Sequence, residues 1–329
     1  MTPREWLEVV RTEYLEDFVR AGGAAVKVAV PVGEESKREL HAGLQQLAEG
    51  NGYHFAFAAA TATKIHMIDK LFNSVAQQID WDALTRAFLI SLLVEQGLKL
   101  PPEPDQLTLA AIAAINDYPE PILRAEVHRW LGKAVLQDYA LVREFRFAML
   151  RLCLAQLDPT DDPGLEQSVK EWLRGDLRLI SGLRRAQIYQ RIARHNARPL
   201  LDSLVHWLRL GGKSGLVLGL DISRYAETTR PADRTDGLYY TTPAALDVYE
   251  VVRQFIDAAD ESQHCFIVVV VGPEFLHDER RGLRSYHALY LRVADEVRDR
   301  YRQNPLAALI RLESGGTSLP APPRDGSEG

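Results

Sequence analysis

At 329 residues, with 46% hydrophobic and 26% charged residues, the chain is long enough for one large domain or two ordinary ones and apolar enough to bury a sizeable core. A net charge of −6 and a pI near 5.9 give no global reason to expect nucleic acid. No apolar run reaches the roughly 18 residues that a transmembrane helix needs. The N-terminus, Met1 to Trp6, carries an acid and no hydrophobic stretch, so no secretory signal is expected and the expected compartment is the cytoplasm. Cys153 and Cys265 stand apart in apolar surroundings and are expected to be buried free thiols.

In chain order, residues 3–20 place Trp6, Val9, Val10, Tyr14 and Phe18 at helical spacing, and Gly22-Gly23 stops that helix. Ala25 to Val32 reads as a buried strand, Pro31-Val32-Gly33 as a tight turn, and the residues beyond as a polar helix start. A second strand is expected over Tyr53–Ala58, followed by amphipathic helices over 65–80 and 82–97. Leu100-Pro-Pro-Glu-Pro104 breaks the pattern, and 106–210 reads as a run of helices punctuated at Asp158–Gly164. Strands return at Gly215–Asp221 and Cys265–Gly272, separated by a polar loop at 230–237 and a helix over about 243–259. A last helix is expected over 283–303, and a disordered Gly/Ser/Pro-rich tail after it.

Four apolar strands separated by helices predict an α/β fold: a parallel sheet with helices on both faces. The outline is that of a phosphate-loop NTPase core interrupted by an all-helical insertion. The expected division is 1–100 as the N-terminal half of the core, 101–210 as the insertion, 211–312 as the C-terminal half, and 313–329 as the tail.

The first strand–glycine–helix unit stands where a phosphate-binding loop belongs, but the loop pattern of Gly, four residues, Gly-Lys, then Ser or Thr is not met. Taking Gly33 as the first glycine puts Arg38, Glu39 and Leu40 at the other required positions; taking Lys37 as the phosphate lysine puts Pro31, Ser36 and Arg38 there. Glu34 and Glu35 bring like charge to where a polyphosphate would lie. Asp221 ends its strand as a magnesium-holding aspartate does, although any α/β crevice can carry an acid there. Ile222 follows it where an ATPase wants an acid, and Glu227 reaches the site only if its loop folds back. Gly212-Lys213-Ser214 imitates the end of the loop pattern but lies between a helix and a strand, and reads better as a helix C-cap. Histidines and cysteines show no metal spacing, and Trp130, Trp172 and Trp207 are expected in the core.

Residues 177–213 hold eight Lys/Arg, among them Arg184, Arg185, Arg191, Arg194 and Arg198, against one acid, Asp202. Such a concentration suits DNA, RNA or an acidic partner, or simply a solvated helix face, and no groove-reading motif or aromatic interleaving distinguishes them. Arg280, Arg281 and Arg284 form a smaller group, read as a surface cluster or as residues acting in trans on a neighbour's nucleotide in an oligomer.

The run Tyr14 to Val28 resembles the N-terminal signature of the ATP-binding P-loop proteins of BREX systems. Gly52-Tyr53, His66–Phe72, Ile192–Leu200, Gly215–Asp221 and Gly272–Leu276 with Arg281-Gly282 are similar in the same order, over roughly residues 1–312. The resemblance implies an AAA+/STAND-like ATPase fold in a bacterial phage-resistance system, working with larger proteins of a defence operon. It also implies ATP and Mg²⁺ as cofactors, with Asp221 carried over as the magnesium ligand and Gly33 and Lys37 as nucleotide-binding positions. Because the glycines and the Lys-Ser/Thr pair are missing at 31–40, the expected role is a non-catalytic scaffold that keeps the fold. An active ATPase with an atypical loop and a plain interaction module unrelated to defence are the alternatives. On the scaffold reading, Lys37→Ala is expected to leave stability unchanged.

Overall fold

The computed structural model describes residues 1–103, 106–158, 162–227, 239–294 and 304–313. The predicted loop at 230–237, the part of the predicted last helix beyond residue 294 and the predicted tail after residue 313 lie outside the described residues. The strands are β1 (Ala24–Val32), β2 (His54–Ala59), β3 (Leu216–Asp221), β4 (Cys265–Val270) and β5 (Leu309–Glu313). They form one sheet in the order β2-β3-β4-β1-β5, and every pair is parallel. An all-parallel sheet must be covered on both faces, which the expected α/β architecture supplies. The fifth strand goes beyond the four expected: Leu309-Ile-Arg-Leu-Glu313 is short and mixes apolar with charged residues, as suits an edge strand with one buried side.

Alternation along the strands divides the core into two layers. Val28 and Val30 of β1, with Leu218 and Leu220 of β3, face one layer; Ala29 of β1 and Val217 of β3 face the other. The second layer is closed by α1 (Pro3–Val9), by the π-helical turns Val10–Phe18 that prolong it, and by α2 (Gly33–Gly50). Leu40, Leu44 and Ala48 of α2 form the apolar stripe that meets Trp6, Val10 and Leu15. Helix α1 carries Thr2 and Glu5 in a reciprocal capping box.

The first layer continues without interruption into the helical stretch expected from the sequence. It takes in α3 (Ile68–Ala76) and α4 (Trp81–Glu95), the two helices expected over 65–80 and 82–97, and then the stretch expected over 106–210: α5 (Leu109–Ile115), α6 (Glu120–Leu131), α7 (Arg143–Leu157), α8 (Pro163–Arg174) and α9 (Ala197–Leu210). Trp81, Phe88, Phe145, Trp172 and Trp207 are buried within it, whereas Trp130 is only partly buried. Two short helices, α10 (Ser223–Ala226) and α12 (Glu274–His277), follow β3 and β4, while α11 (Thr242–Asp257) and α13 (His287–Val293) complete the cover. Cys153 and Cys265 are buried and free, as expected. No helix among the described residues is long and apolar enough to cross a membrane.

The outer edge of β2 is closed by a side chain. Gln78 Oε1 accepts the Phe57 N–H and Gln78 Nε2 donates to the Phe57 carbonyl, both at 2.9 Å, copying the pairing of a neighbouring strand. At the far end of α9, Lys213 N–H bonds the Leu208 carbonyl at 2.9 Å and Gly212 N–H bonds that of Arg209 at 3.0 Å. That pattern ends a helix, so Gly212-Lys213-Ser214 is a C-cap.

Candidate functional site

The carboxyl ends of the parallel strands converge on one edge of the sheet, the edge where α/β proteins place their sites. Strand β1 stays paired with β5 as far as Val32. Pro31 interrupts no ladder bond, because the pairing of β1 with β4 has already ended at Ala29. The chain then turns at a single residue: Gly33 has φ of +82° and is the first residue of α2. No residue separates strand from helix, so the turn is shorter than the three residues expected. The first turn of α2 has no side-chain cap and carries Glu34 and Glu35, whose charges suit the positive end of the helix dipole.

Lys37 stands one turn into α2 beside the buried stripe and reaches across to the end of β3. Its Nζ lies 2.8 Å from Asp221 Oδ2 and donates to Ser223 Oγ at 3.1 Å. The other carboxylate oxygen, Oδ1, accepts the Ser223 hydroxyl at 2.6 Å and the Ser223 N–H at 3.1 Å. Both oxygens of Asp221 are therefore held, and only 10% of its side chain is exposed, against 27% for Lys37. Lys37 is thus the counter-ion of a largely buried carboxylate, a geometry that predicts a loss of stability when it is removed, in contrast to the expectation from the sequence.

His41, four residues beyond Lys37, packs edge-on against Phe57 with ring centroids 4.2 Å apart. Burial holds its imidazole below the ordinary histidine range, and the charge of Asp221 opposes that shift. On the β2–β3 side an aromatic wall closes the edge. Tyr225 and Tyr240 stack at 3.9 Å, His66 Nδ1 lies 2.9 Å from the Tyr225 hydroxyl, and Tyr240 donates to the Ala60 carbonyl at 2.5 Å. On the β4 side Glu274 folds back over Gly272, where an added Cβ would stand 2.6 Å from Glu274 Oε2 and 3.8 Å from the Ser223 Cβ.

Other predicted residues fall elsewhere. Glu227 pairs with Arg224 at 2.6 Å. Arg281 is buried, which corrects its reading as part of a surface cluster. Its Nη1 donates to the carbonyls of Glu227 at 3.0 Å and Tyr240 at 2.9 Å, its Nη2 to the Tyr239 hydroxyl, and its plane lies over the Tyr239 ring. The guanidinium ties together the two ends of the connection after β3, while Arg280 and Arg284 are exposed.

The five arginines singled out in the basic segment belong to the helical stretch and its exit rather than to the Lys37–Asp221 pair. Arg184 and Arg194 are exposed, Arg185 pairs with Asp162 at 2.7 Å, Arg191 donates to the Arg178 carbonyl, and Arg198 lies over Phe255. The structure brings Gly33, Lys37 and Asp221 to one edge. It adds Ser223, which sequence reading missed although a serine two residues past a strand-ending aspartate is a recognisable turn signal. No group of His, Cys, Asp and Glu fit to hold a metal occurs among the described residues.

Residues 107–315 match the family described as BREX system ATP-binding protein BrxC/D, nearly two-thirds of the chain. The matched span holds the helical stretch from 107 onward, Asp221, the end of β4 and Arg281, and begins after Gly33 and Lys37. No curated protein and no solved structure matches the chain at a significant level.

Proposed function

We propose that this chain, which belongs to the BREX system ATP-binding protein BrxC/D family, serves as a scaffold subunit whose nucleotide crevice is closed by its own side chains. The observation that carries the reading is the state of Asp221: both of its oxygens are engaged, by Lys37 and by Ser223. A polyphosphate needs a ring of backbone N–H groups between strand and helix, and a cation beside it. Here β1 enters α2 at Gly33 directly, Glu34 and Glu35 occupy the first turn, and the nearest lysine is held by the aspartate. The Asp221 carboxylate and Ser223 hydroxyl suit Mg²⁺; the residues around Gly33 do not suit the phosphates that would bring it. On this reading residues 101–210 are an insertion between two halves of the core, 1–100 and 211–312, and provide the surface for larger partners in the cytoplasm.

A second reading draws on the same pair. Lys37 and Asp221 are a phosphate-binding and a magnesium-binding residue type held 2.8 Å apart at the sheet edge, and an atypical ATPase would separate them around Mg²⁺ and ATP. A thermal melt discriminates. Ligand at a hundred times its Kd stabilises by about 2.7 kcal/mol, so even a site with Kd of about 50 μM raises Tm by several degrees in ~5 mM Mg·ATP. The scaffold reading predicts no shift.

A further inference from the structure

The outer face of the helical stretch carries tyrosines that the core does not use. Tyr139 is 83% exposed and Tyr189 55% exposed, although burying either ring would remove a large apolar area from water. Both lean on arginines of one helix face. Arg146 lies 5.0 Å from the Tyr139 ring centre, and Arg143 stands between Phe147 at 5.1 Å and Tyr189 at 5.8 Å. Arg143 and Arg146 are three residues apart on α7 and so neighbours on its surface. Two tyrosine–arginine stacks therefore sit side by side.

The scaffold beneath them is fixed. Asp138 accepts the Ala140 N–H at 3.0 Å and lies 2.7 Å from His206 Nε2, which pins the turn that carries Tyr139. Arg146 Nη1 donates to the Leu136 carbonyl at 2.6 Å. The Tyr189 segment is held by Trp172 Nε1 donating to the Gln190 carbonyl at 2.9 Å and by Asn196 Nδ2 donating to that of Arg191 at 3.0 Å. The exposed rings are thus presented by ordered backbone.

Charge decides what such a surface takes. Tyr189 lies inside the basic segment, two residues before Arg191 and four after Arg185. The nearby acids are already engaged: Asp138 with His206, Glu144 with Arg143 at 3.7 Å and Asp162 with Arg185. The pairs of Arg143 and Arg185 are exposed on the arginine side and contribute little, so these arginines can exchange them for phosphates. Aromatic faces beside fixed positive charge are the means by which proteins hold single strands without reading sequence: bases stack on rings and the backbone follows the cations. We propose that this face binds single-stranded nucleic acid, with Tyr139 and Tyr189 as stacking platforms and Arg143 and Arg191 as phosphate contacts. The inference rests on the reading of the helical stretch as the contact surface, and does not depend on the state of the crevice.

The test is fluorescence anisotropy of a labelled oligothymidylate titrated with the full chain, without nucleotide, over a range of salt. Binding is expected to weaken roughly ten-fold for each of Tyr139→Ala and Tyr189→Ala, and to be kept by the Phe variants, which preserve the ring. Replacing both Arg143 and Arg191 with Gln should flatten the salt dependence by about two phosphate contacts. A duplex of the same length should bind more weakly and be indifferent to the tyrosines. Absence of binding by the single strand overturns the proposal and leaves the surface to a protein partner. Binding that both alanine variants retain unchanged overturns it equally, because basic charge alone would then account for it. Because a crevice open to ATP would not move these readings, failure here is distinct from failure of the scaffold reading.

Discussion

Replacing Lys37 by Met removes the charge that faces Asp221 and keeps most of the side-chain volume. The carboxylate then retains only the two Ser223 donors, with its side chain 10% exposed. Losing a hydrogen bond to a charged group costs about 1.5–3 kcal/mol, and breaking a fully buried pair about 3–5 kcal/mol. This pair is only partly buried on the lysine side, so about 2 kcal/mol is expected, or about 3 °C in Tm for a chain of this size. Asp221→Asn should cost about 1 kcal/mol, because Lys37 can turn toward water while the new amide oxygen still accepts from Ser223. The variant with both changes should lose about 1.5 kcal/mol rather than the sum of about 3, a coupling near 1.5 kcal/mol. Urea denaturation of the four proteins measures the cycle. Costs that add to within about 0.5 kcal/mol would mean that the two residues do not support each other, and the closed-crevice account would lose its energetic basis.

Arg281→Leu should destabilise by about 1–3 kcal/mol, since the half-buried carbonyls of Glu227 and Tyr240 would lose their charged donor. Hydrogen exchange should then quicken around residues 225–227 and 239–241 before the rest of the sheet; unchanged protection there would show that the guanidinium does not fasten the connection. Burial lowers the imidazole of His54 to about 4 from an ordinary value of 6.5. The unfolded chain therefore binds a proton between those values that the folded chain refuses, and stability falls as pH drops from 6.5 toward 4. His54→Gln should reduce that part of the acid sensitivity, and parallel pH curves for the two proteins would remove His54 from the account.

The sheet is largely legible in the sequence because its signals are local. Cys265–Val270 is continuously apolar, Gly33 interrupts a hydrophobic run, and Asp221 closes another. β5 is hidden because its run is short and broken by Arg311 and Glu313, and only its pairing to β1 makes it a strand. The position of Asp221 can be read from the chain, but its partners cannot. Lys37 is distant in sequence, and whether it meets a phosphate or an aspartate depends on how α2 leaves β1. Arg281 is misread because an arginine among polar residues looks exposed; backbone carbonyls from 54 and 41 positions away bury it. The tyrosine–arginine face escapes for the converse reason. Tyr189 stands inside the basic segment, where the sequence reading saw no aromatic interleaving, and Tyr139, Arg143 and Arg146 come from another part of the chain; exposure of a ring is a tertiary fact.

The closed crevice is tested most directly by isothermal calorimetry of the full chain with ATP and Mg²⁺, beside an Asp221→Ala variant. The account predicts no binding heat at millimolar ATP for either protein, because β1 runs directly into α2 at Gly33 and Lys37 is paired with Asp221. Micromolar binding by the unaltered chain that disappears with Asp221→Ala would contradict it, and would make the Lys37–Asp221 pair a gate that nucleotide opens.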